Sequence, residues 1–405
     1  MQIGAEPITL AKRLPRLNNA MMDNIYLDHN ATTPIHPEVV QAMDRCYAQG
    51  YANPASQHRP GQEARKVLED TRERIAELLG ANLTSPQPDR LIFTASATEA
   101  NNLAVLGIAQ AGGSEPGQVV ISAIEHFSVI GPAERLLELG WRLDTLGVTP
   151  EGVVRVECLP GLLGPQTRVA SVMLGNHETG VLQPVAELAA LCNAAGVPLH
   201  TDAVQVVGKL PVSFRGLGVA ALSIGAHKFR GPLGIGALVL RHDVPLAPLL
   251  FGGHQQSGLR PGTESIALAF GMLTALELCH KGQQSHARRL TALRDRFENG
   301  LSAAIPGLLI HGRPAPRLPH TSSIAFPSVD GQVLLVALSM TGVACSVGSA
   351  CSSGSTELSP TLRAMGLSAE VAGRSLRFSL GATTTEAEID EAIRRIVHVW
   401  RELCG

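Results

Sequence analysis

Val219-Ala220-Ala221-Leu222-Ser223-Ile224-Gly225-Ala226-His227-Lys228-Phe229-Arg230-Gly231-Pro232-Leu233-Gly234-Ile235-Gly236-Ala237-Leu238-Val239-Leu240 sets two apolar runs on either side of a glycine-rich turn that carries one lysine. Neither run, Val219 to Ser223 or Ile235 to Leu240, alternates polar with apolar residues, so each reads as a strand buried on both faces. Four similar runs precede them: Leu91 to Phe93, Val119 to Ile121, Val169 to Met173 and Val197 to Leu199. Helical patterns lie between. Residues 60 to 79 put Ala64, Val67, Leu68, Thr71, Ile75, Leu78 and Leu79 on one face and end at Gly80. Pro184 to Ala195 opens on a proline and closes on Gly196. Strands alternating with helices predict an α/β fold, a mostly parallel sheet covered by helices.

The order changes near residue 280. A helix rich in Arg and Leu leads to a proline-rich turn, Arg313 to Pro319, and the chain closes on a helix whose Ile389, Ile393, Ile396, Val397 and Trp400 share a face. Thr385 and Glu388 stand at capping-box spacing before it. A large unit of residues 26-280 is therefore expected beside a smaller α+β unit formed by 1-25 and 281-405. The length of 405 residues with 45% hydrophobic content suits that size of core.

Thirty-three basic residues against 35 acidic ones leave a formal charge of −2 and no broad field for nucleic acid or an anionic membrane. No apolar run reaches the ~18 residues of a membrane span. Direct nucleic-acid or membrane contact is not expected. The cysteines at 46, 158, 192, 279, 345, 351 and 404 are odd in number and lack metal-ligand spacing, which fits a reducing, cytoplasmic setting. Residues 1 to 24 carry Lys12, Arg13 and Arg16 with no apolar core behind them, unlike a secretory signal. Their low acid content would also suit an organellar presequence, and a translation start at Met21 or Met22 is equally compatible.

Three positions point to chemistry. After Leu91 to Phe93, Thr94-Ala95-Ser96-Ala97-Thr98-Glu99-Ala100-Asn101-Asn102 enters a helix with small and hydroxyl side chains. Free amides there and the positive end of the helix dipole would favour a phosphate; ordinary capping by Ser96 and Glu99 is the plain alternative. Asp202, in Leu199-His200-Thr201-Asp202-Ala203-Val204-Gln205, has no local cation, so either loop amides or a protonated pyridine nitrogen must hold it. Lys228 lies among Gly225, Ala226, Gly231, Gly234 and Gly236, a crowded setting that would desolvate an amine and favour imine formation over a solvated surface charge.

Tyr26-Leu27-Asp28-His29-Asn30-Ala31-Thr32-Thr33-Pro34, Ala97-Thr98-Glu99, Ile124-Glu125-His126, Asn176-His177-Glu178-Thr179-Gly180, Asp202 to Gln205, Ala226-His227-Lys228 and Gly348-Ser349-Ala350-Cys351 occur in one order. In that order and spacing, from about residue 25 to 385, the chain resembles the cysteine desulfurases of the NifS/IscS type.

The resemblance implies a homodimeric enzyme of the pyridoxal phosphate (PLP) fold type I, with a mostly parallel seven-stranded sheet in its large domain. It implies conversion of L-cysteine to L-alanine, with sulfur left as a persulfide on Cys351. Lys228 would carry the cofactor and then take the substrate α-proton; Asp202 would pair with the pyridine nitrogen; His126 would stack on the ring; Gln205 would bond its phenolic oxygen. Thr98 and His227 would hold the phosphate, with Ala97 in the same cup, and Thr263 would reach the phosphate of the neighbouring subunit. Arg377 would clamp the substrate carboxylate, a task for a planar bidentate donor, with Asn176 beside the substrate. Two departures stand out. Gly225-Ala226-His227-Lys228 replaces the usual Ser-Gly-His-Lys, leaving only backbone contact at Gly225, and Asn176-His177-Glu178 replaces Asn-Asn-Glu, so His177 is expected to face the cofactor.

Cys351 lies in Ser346-Val347-Gly348-Ser349-Ala350-Cys351-Ser352-Ser353-Gly354-Ser355, read as part of a mobile arm spanning about 345-357 that carries the thiol from substrate to a sulfur acceptor. A free thiol has pKa ~8.5, so a base such as His126 would have to take its proton. Cys345 reads as a buried strand residue and not a relay thiol. Acceptors would be proteins such as an iron-sulfur scaffold or the tRNA-thiolation machinery; whether Cys351 transiently ligates an iron-sulfur cluster with such a partner is left open by the sequence. No other metal ligand is expected. The competing readings are a selenocysteine lyase, an aminotransferase that would not need Cys351, and a weakly catalytic scaffold for sulfur-transfer proteins.

Overall fold

Apolar runs without polar alternation need cover on both faces, and the chain supplies it by sending a helix back across the sheet after most strands. The computed structural model describes residues 24–113, 115–348 and 358–404. Its strands are β1 (Ile25–Tyr26), β2 (Arg90–Thr94), β3 (Gln118–Ser122), β4 (Arg142–Leu146), β5 (Thr167–Ser171), β6 (Leu199–Asp202), β7 (Ala221–Gly225), β8 (Gly236–Leu240), β9 (Leu309–Ile310), β10 (Thr321–Ala325), β11 (Val343–Ala344), β12 (Ser346–Val347) and β13 (Ser375–Ser379). Seven of them form one sheet in the order β2-β8-β7-β6-β5-β3-β4. All its pairings are parallel except those of β8, which runs antiparallel to both neighbours. The expected α/β architecture is therefore present, with β8 as its one reversed strand.

Two expectations shift. The run Val197 to Leu199 is placed later, as Leu199–Asp202, because pairing with β7 continues to Ser223 and keeps Asp202 inside the strand. β4 was not among the apolar runs. It is one of the two edge strands and the one left open to solvent, with only Leu146 buried, so it needs no apolar run.

The helices follow their sequence signals. Arg59–Leu78 buries Ala64, Leu68, Thr71 and Ile75, with Gly80 beyond its end at φ +71°. Val185–Ala194 starts after Pro184 and is followed by Gly196 at φ +70°. In Glu386–Cys404 the capping box closes reciprocally, Glu388 N to Thr385 Oγ1 at 3.2 Å and Thr385 N to Glu388 Oε2 at 2.7 Å. No helix among the described residues is long and apolar enough to cross a membrane.

A second core gathers Phe297, Leu301, Phe326, Phe378, Ile389 and Ile396 between a four-stranded sheet, β12-β13-β10-β9, and the helices Gln283–Ala304 and Glu386–Cys404. Ile25 and Leu27 belong to this core, and β1 pairs with β11. Leu362, Met365 and Ala372 pack instead on the core of the large sheet. A buried ion pair helps tie the two cores. Arg317, in the proline-rich turn and bridged to Val181, grips Glu298 of the long helix through both oxygens at 2.7 and 2.9 Å, and Ser322 donates to the same carboxylate. These side chains are only 4% and 1% exposed, so losing one partner strands a buried charge. Arg317→Met should lower unfolding stability by about 3–5 kcal/mol. Adding Glu298→Leu should recover most of that loss, measured by denaturant titration.

Candidate active site

Six of the seven strands end on the same edge, and loops leaving them enclose a cavity of about 330 Å³. Such an edge, beyond the carboxyl ends of parallel strands, is where open α/β sheets collect ligand-binding groups. β2 leads into the helix Ala97–Ala111, whose cap Ser96 accepts from Glu99 N at 3.2 Å. The amides of Ala97 and Thr98 stand before the first turn closes and have no carbonyl one turn back to bond. Sheet and helix start meet closely here. A Cβ on Gly236 would lie 2.5 Å from the Ser96 carbonyl carbon, and one on Gly225 would lie 3.1 Å from Ala97 Cβ. Ser96, Ala97, Thr98 and His227 line this end of the cavity, while the carbonyl of His227 receives Thr33 N and Oγ1 and its Nδ1 meets Thr32 Oγ1 at 3.1 Å. Burial, with Lys228 and Lys209 nearby, brings the His227 imidazole down to about 4, so the ring is neutral and can donate one N–H.

β6 delivers Asp202. Its carboxylate accepts from Val204 N at 2.9 Å and Asn101 Nδ2 at 2.7 Å, and it has no ion-pair partner among the described residues. Loop amides thus hold part of it, and a cation is still lacking. Asn101 also donates to Ser128 Oγ at 2.8 Å, leaving its Oδ1 unpartnered. Glu125 sits close by, bonded to Ser122 Oγ and to Met173 N. Burial raises its carboxyl to about 8, with Asp202 adding to the shift, so one of these two neighbouring acids is neutral at pH 7.

The turn between β7 and β8 carries Lys228 on a 3-10 segment, Ala226–Phe229, closed by Arg230 at φ +66° and locked through Arg230 N to Thr33 Oγ1 at 2.8 Å. Lys228 Nζ donates to the carbonyls of Asn30 and Ala31 at 2.5 and 2.8 Å. Gln205 donates to the same Asn30 oxygen at 3.0 Å, and its buried Oε1 has no partner.

On the opposite wall, His126 caps the helix Phe127–Glu138. Its Nδ1 accepts from Ser128 N at 3.1 Å, so the neutral ring carries its proton on Nε2. This limits the expected role of His126 as a base, since the ring takes a proton only by exchanging tautomer and giving up its cap. His177 meets His126 edge-on, with centroids 5.2 Å apart, and lines the cavity. Burial first, then His126, Arg377 and Lys228, hold its pKa well below the usual imidazole value.

Arg377 lies at the rim, with Nη2 on Asp28 Oδ1 at 2.8 Å, Nη1 on the His177 carbonyl at 3.2 Å and Nε unpartnered. Asn176 does not reach the cavity. It is fully buried, its Oδ1 takes the amides of Glu178 and Thr179, and its Nδ2 bonds Ile124 O; these contacts shape the turn that aims His177. A substrate contact by Asn176 is accordingly not carried forward. Thr263 is exposed and outside this cavity. Cys351 falls outside the described residues. Gly348 packs against Glu178, where a Cβ would come 2.2 Å from Oε2, and Ser359 bonds the same carboxylate at 2.5 Å. Cys345 is only partly buried, in the break between β11 and β12, and burial pushes its thiol up.

A family model described as aminotransferase class-V matches residues 25–392. The chain belongs to that family. Among class-V relatives, the cysteine desulfurase IscS of Dictyoglomus turgidum is 38% identical over 386 residues, covering 95% of this chain and 97% of its own. A solved NifS-like protein superposes with a TM-score of 0.84 at 32% identity, covering 93% and 99% of the two chains. SspA in complex with cysteine gives 0.76 at 29% identity, covering 89% and 99%.

Class-V membership implies PLP, and the cavity suits it. A carboxylate without a cation, an unpartnered Gln205 oxygen, two open helix-start amides and a lysine amine surround one space of about 330 Å³. Asn30, Asp28, Asn101 and Ser128 are site residues to which sequence reading gave no task. Their signal was present as polar residues in segments without apolar periodicity. Glu125 yields a test of the electrostatics. A carboxyl raised to about 8 from 4.5 costs the folded state nothing below pH 4.5, where both states are protonated. Over pH 4.5 to 8 only the unfolded chain ionises, so Glu125 progressively destabilises the fold. Glu125→Gln should therefore gain stability over wild type with rising pH, by at most about 1.4 kcal/mol per pH unit, read from melting curves at pH 5 and pH 8.

Proposed function

We propose that this protein is a PLP-dependent cysteine desulfurase that converts L-cysteine to L-alanine and retains the sulfur on Cys351. The observation that carries this reading is the pairing of a cation-free buried carboxylate, Asp202, with the amine of Lys228 across one cavity, within a chain whose relatives are cysteine desulfurases.

In the bound state the cofactor supplies a protonated ring that withdraws electrons from the substrate Cα. Asp202, oriented by Asn101 and Val204, would hold the ring nitrogen in its charged form. The Ala97 and Thr98 amides with His227 would hold the phosphate, His126 would lie on the ring, and Gln205 would bond the phenolic oxygen. His177 fills the neighbouring wall as a neutral donor or acceptor. Lys228 Nζ takes the proton from the substrate Cα and returns it. Arg377 must exchange its bond to Asp28 for the substrate carboxylate, a swap of one anion for another that keeps the guanidinium paired.

The Cys351 thiolate attacks the substrate sulfur, an S–S bond forms as the Cβ–S bond breaks, and the electron pair left on carbon is protonated to give alanine. No external oxidant is consumed. Gly348 is fixed beside His177 through Glu178, and Cys351 follows three residues later, which supports its delivery to this rim. Sulfur would then pass to an acceptor protein, and a reducing cytoplasm would suit that persulfide. A homodimer is proposed on the exposed apolar residues Phe251, Leu250 and Leu233, at 88%, 50% and 71% exposure, in the same region as Thr263, which is free to reach a second copy.

Protein purified with PLP should be yellow and should release alanine and sulfide in equal amounts from L-cysteine plus a thiol reductant. Borohydride followed by digestion should leave the pyridoxyl mass on the Lys228 peptide. Cys351→Ala should keep the colour and lose sulfide release; unchanged turnover in that variant would remove the assigned role. Arg377→Lys should raise KM for L-cysteine roughly 10- to 100-fold, the share of a charge-assisted pair, with the colour unaltered.

A further inference from the structure

Lys228 also borders a second cavity, of about 280 Å³, that Asp202, Gln205 and His126 do not reach. It lies where the two cores meet, between Leu278 and Cys279 of the helix Ile266–His280, Leu290 of the long helix, and Leu380 after β13. Three buried nitrogens on its wall have no hydrogen-bond partner among the described residues: Lys209 Nζ, His29 Nδ1 and His320 Nδ1. Buried polar atoms are rarely left unpaired, so three around one space mark a place for a bound molecule. Among the described residues no Asp or Glu lines it, whereas Lys209, Lys228 and Arg230 do.

The tautomer of His320 narrows the chemistry. Asn30 Nδ2 donates to the His177 carbonyl, which fixes Asn30 Oδ1 as the acceptor of His320 Nε2 at 2.8 Å. His320 therefore donates through Nε2 and offers Nδ1 as a lone pair. The wall thus presents a cationic donor, an acceptor and apolar side chains. The volume, that of about nine liquid waters, accommodates a small acid. We propose that this cavity binds a short-chain hydroxy acid, with its carboxylate on Lys209, its hydroxyl donating to His320 Nδ1, and its carbon chain against Leu278 and Leu290. An amino acid fits less well because its ammonium would face the cations of Lys209 and Arg230. This site is independent of the desulfurase reading.

Binding takes up a proton. Burial, with Lys228, brings the Lys209 amine down to about 7. The groups facing it are held in one form near neutrality: His29 is down at about 4, His320 lies well below 6.5, His36 is lowered, and the Cys279 thiol is up at about 11. His286 and Arg230 complete the wall, with Asp28 and Glu388 acting on His29 from outside it.

L-lactate is the probe, titrated calorimetrically into the PLP-loaded full chain, with propionate as the acid lacking the hydroxyl. Lactate should bind, propionate roughly tenfold more weakly, the share of one hydrogen bond, and lactate affinity should fall above about pH 7. Lys209→Met should remove that binding and, with no ligand, raise the melting temperature most at or below pH 7, because the amine loses its cost as pH climbs toward 10.5. Ala287→Phe, which places a bulky ring on the cavity wall while leaving Lys209 in the sequence, should abolish the same signal. Equal lactate binding in wild type and Lys209→Met would overturn the proposal, as would no binding at tens of millimolar, which would leave water alone in the cavity.

Discussion

Asn30 is the point on which the two cores depend. Its amide donates to Ser379 Oγ of β13, its carbonyl takes Gln205 and Lys228 from the large sheet, its Nδ2 serves the His177 carbonyl and Thr321, and its Oδ1 accepts from His320. Every polar atom of one buried residue is used, by groups from both cores. A segment so held gains little from hydrophobic burial of its own. Its position is fixed by directional bonds, which tolerate far less displacement than apolar contact. Lys228 therefore points where Asn30 allows, and the geometry of the cavity follows from the docking of one core on the other.

Charge in the site is organised by burial more than by pairing. Asp202 is ionisable, buried and without a cation, its neighbour Glu125 is pushed to about 8, and His177 and His227 are held neutral. Neutral imidazoles suit a place already crowded with Lys228, Lys209 and Arg377, because each would otherwise add a like charge at close range. The one anionic end of the cavity suits a cationic group. The open helix start at Ala97, with neutral donors around it, serves an anionic group at the other. Polarity along the cavity is thus fixed before anything enters it.

Much of this was legible in the chain. Buried strands reveal themselves because both faces must be apolar, and so six of the seven sheet strands could be read, whereas β4 escaped because its edge position leaves its side chains half in water. Lys228, Asp202 and the Ala97-Thr98 cup stand out because their residue types conflict with their apolar surroundings. What stayed hidden were relations between distant segments. Asn176 looks like a ligand-facing amide in its motif, yet its side chain is taken up by its own turn, by Ile124 and Met173, and by Thr361 from a distant helix. Nothing in the order of residues reveals that Ser128 fixes the tautomer of His126, since that depends on where a helix starts. The spare nitrogens of Lys209, His29 and His320 come from three distant segments and share a wall only after the cores dock.

The glycine at 225 is intelligible on the same terms. β7 and β8 pair Gly225 with Gly236, and both lie beneath the start of the helix Ala97–Ala111. At Gly236 any side chain would run into backbone, so that glycine is obligatory for the approach. Gly225 differs, because its nearest obstacle is the Ala97 methyl at 3.1 Å, a contact tighter than usual yet one a small shift would relieve. A serine there would add a hydroxyl for phosphate at the cost of pushing the helix start outward, away from the anion its amides would bind. With glycine at 225 the helix can settle closer to the sheet, so that a donor is lost from the strand while the amides of Ala97 and Thr98 are set deeper. Affinity for a phosphate then depends on the helix terminus, which makes the closeness of that packing, and not the missing hydroxyl alone, the quantity that decides how firmly the group is held.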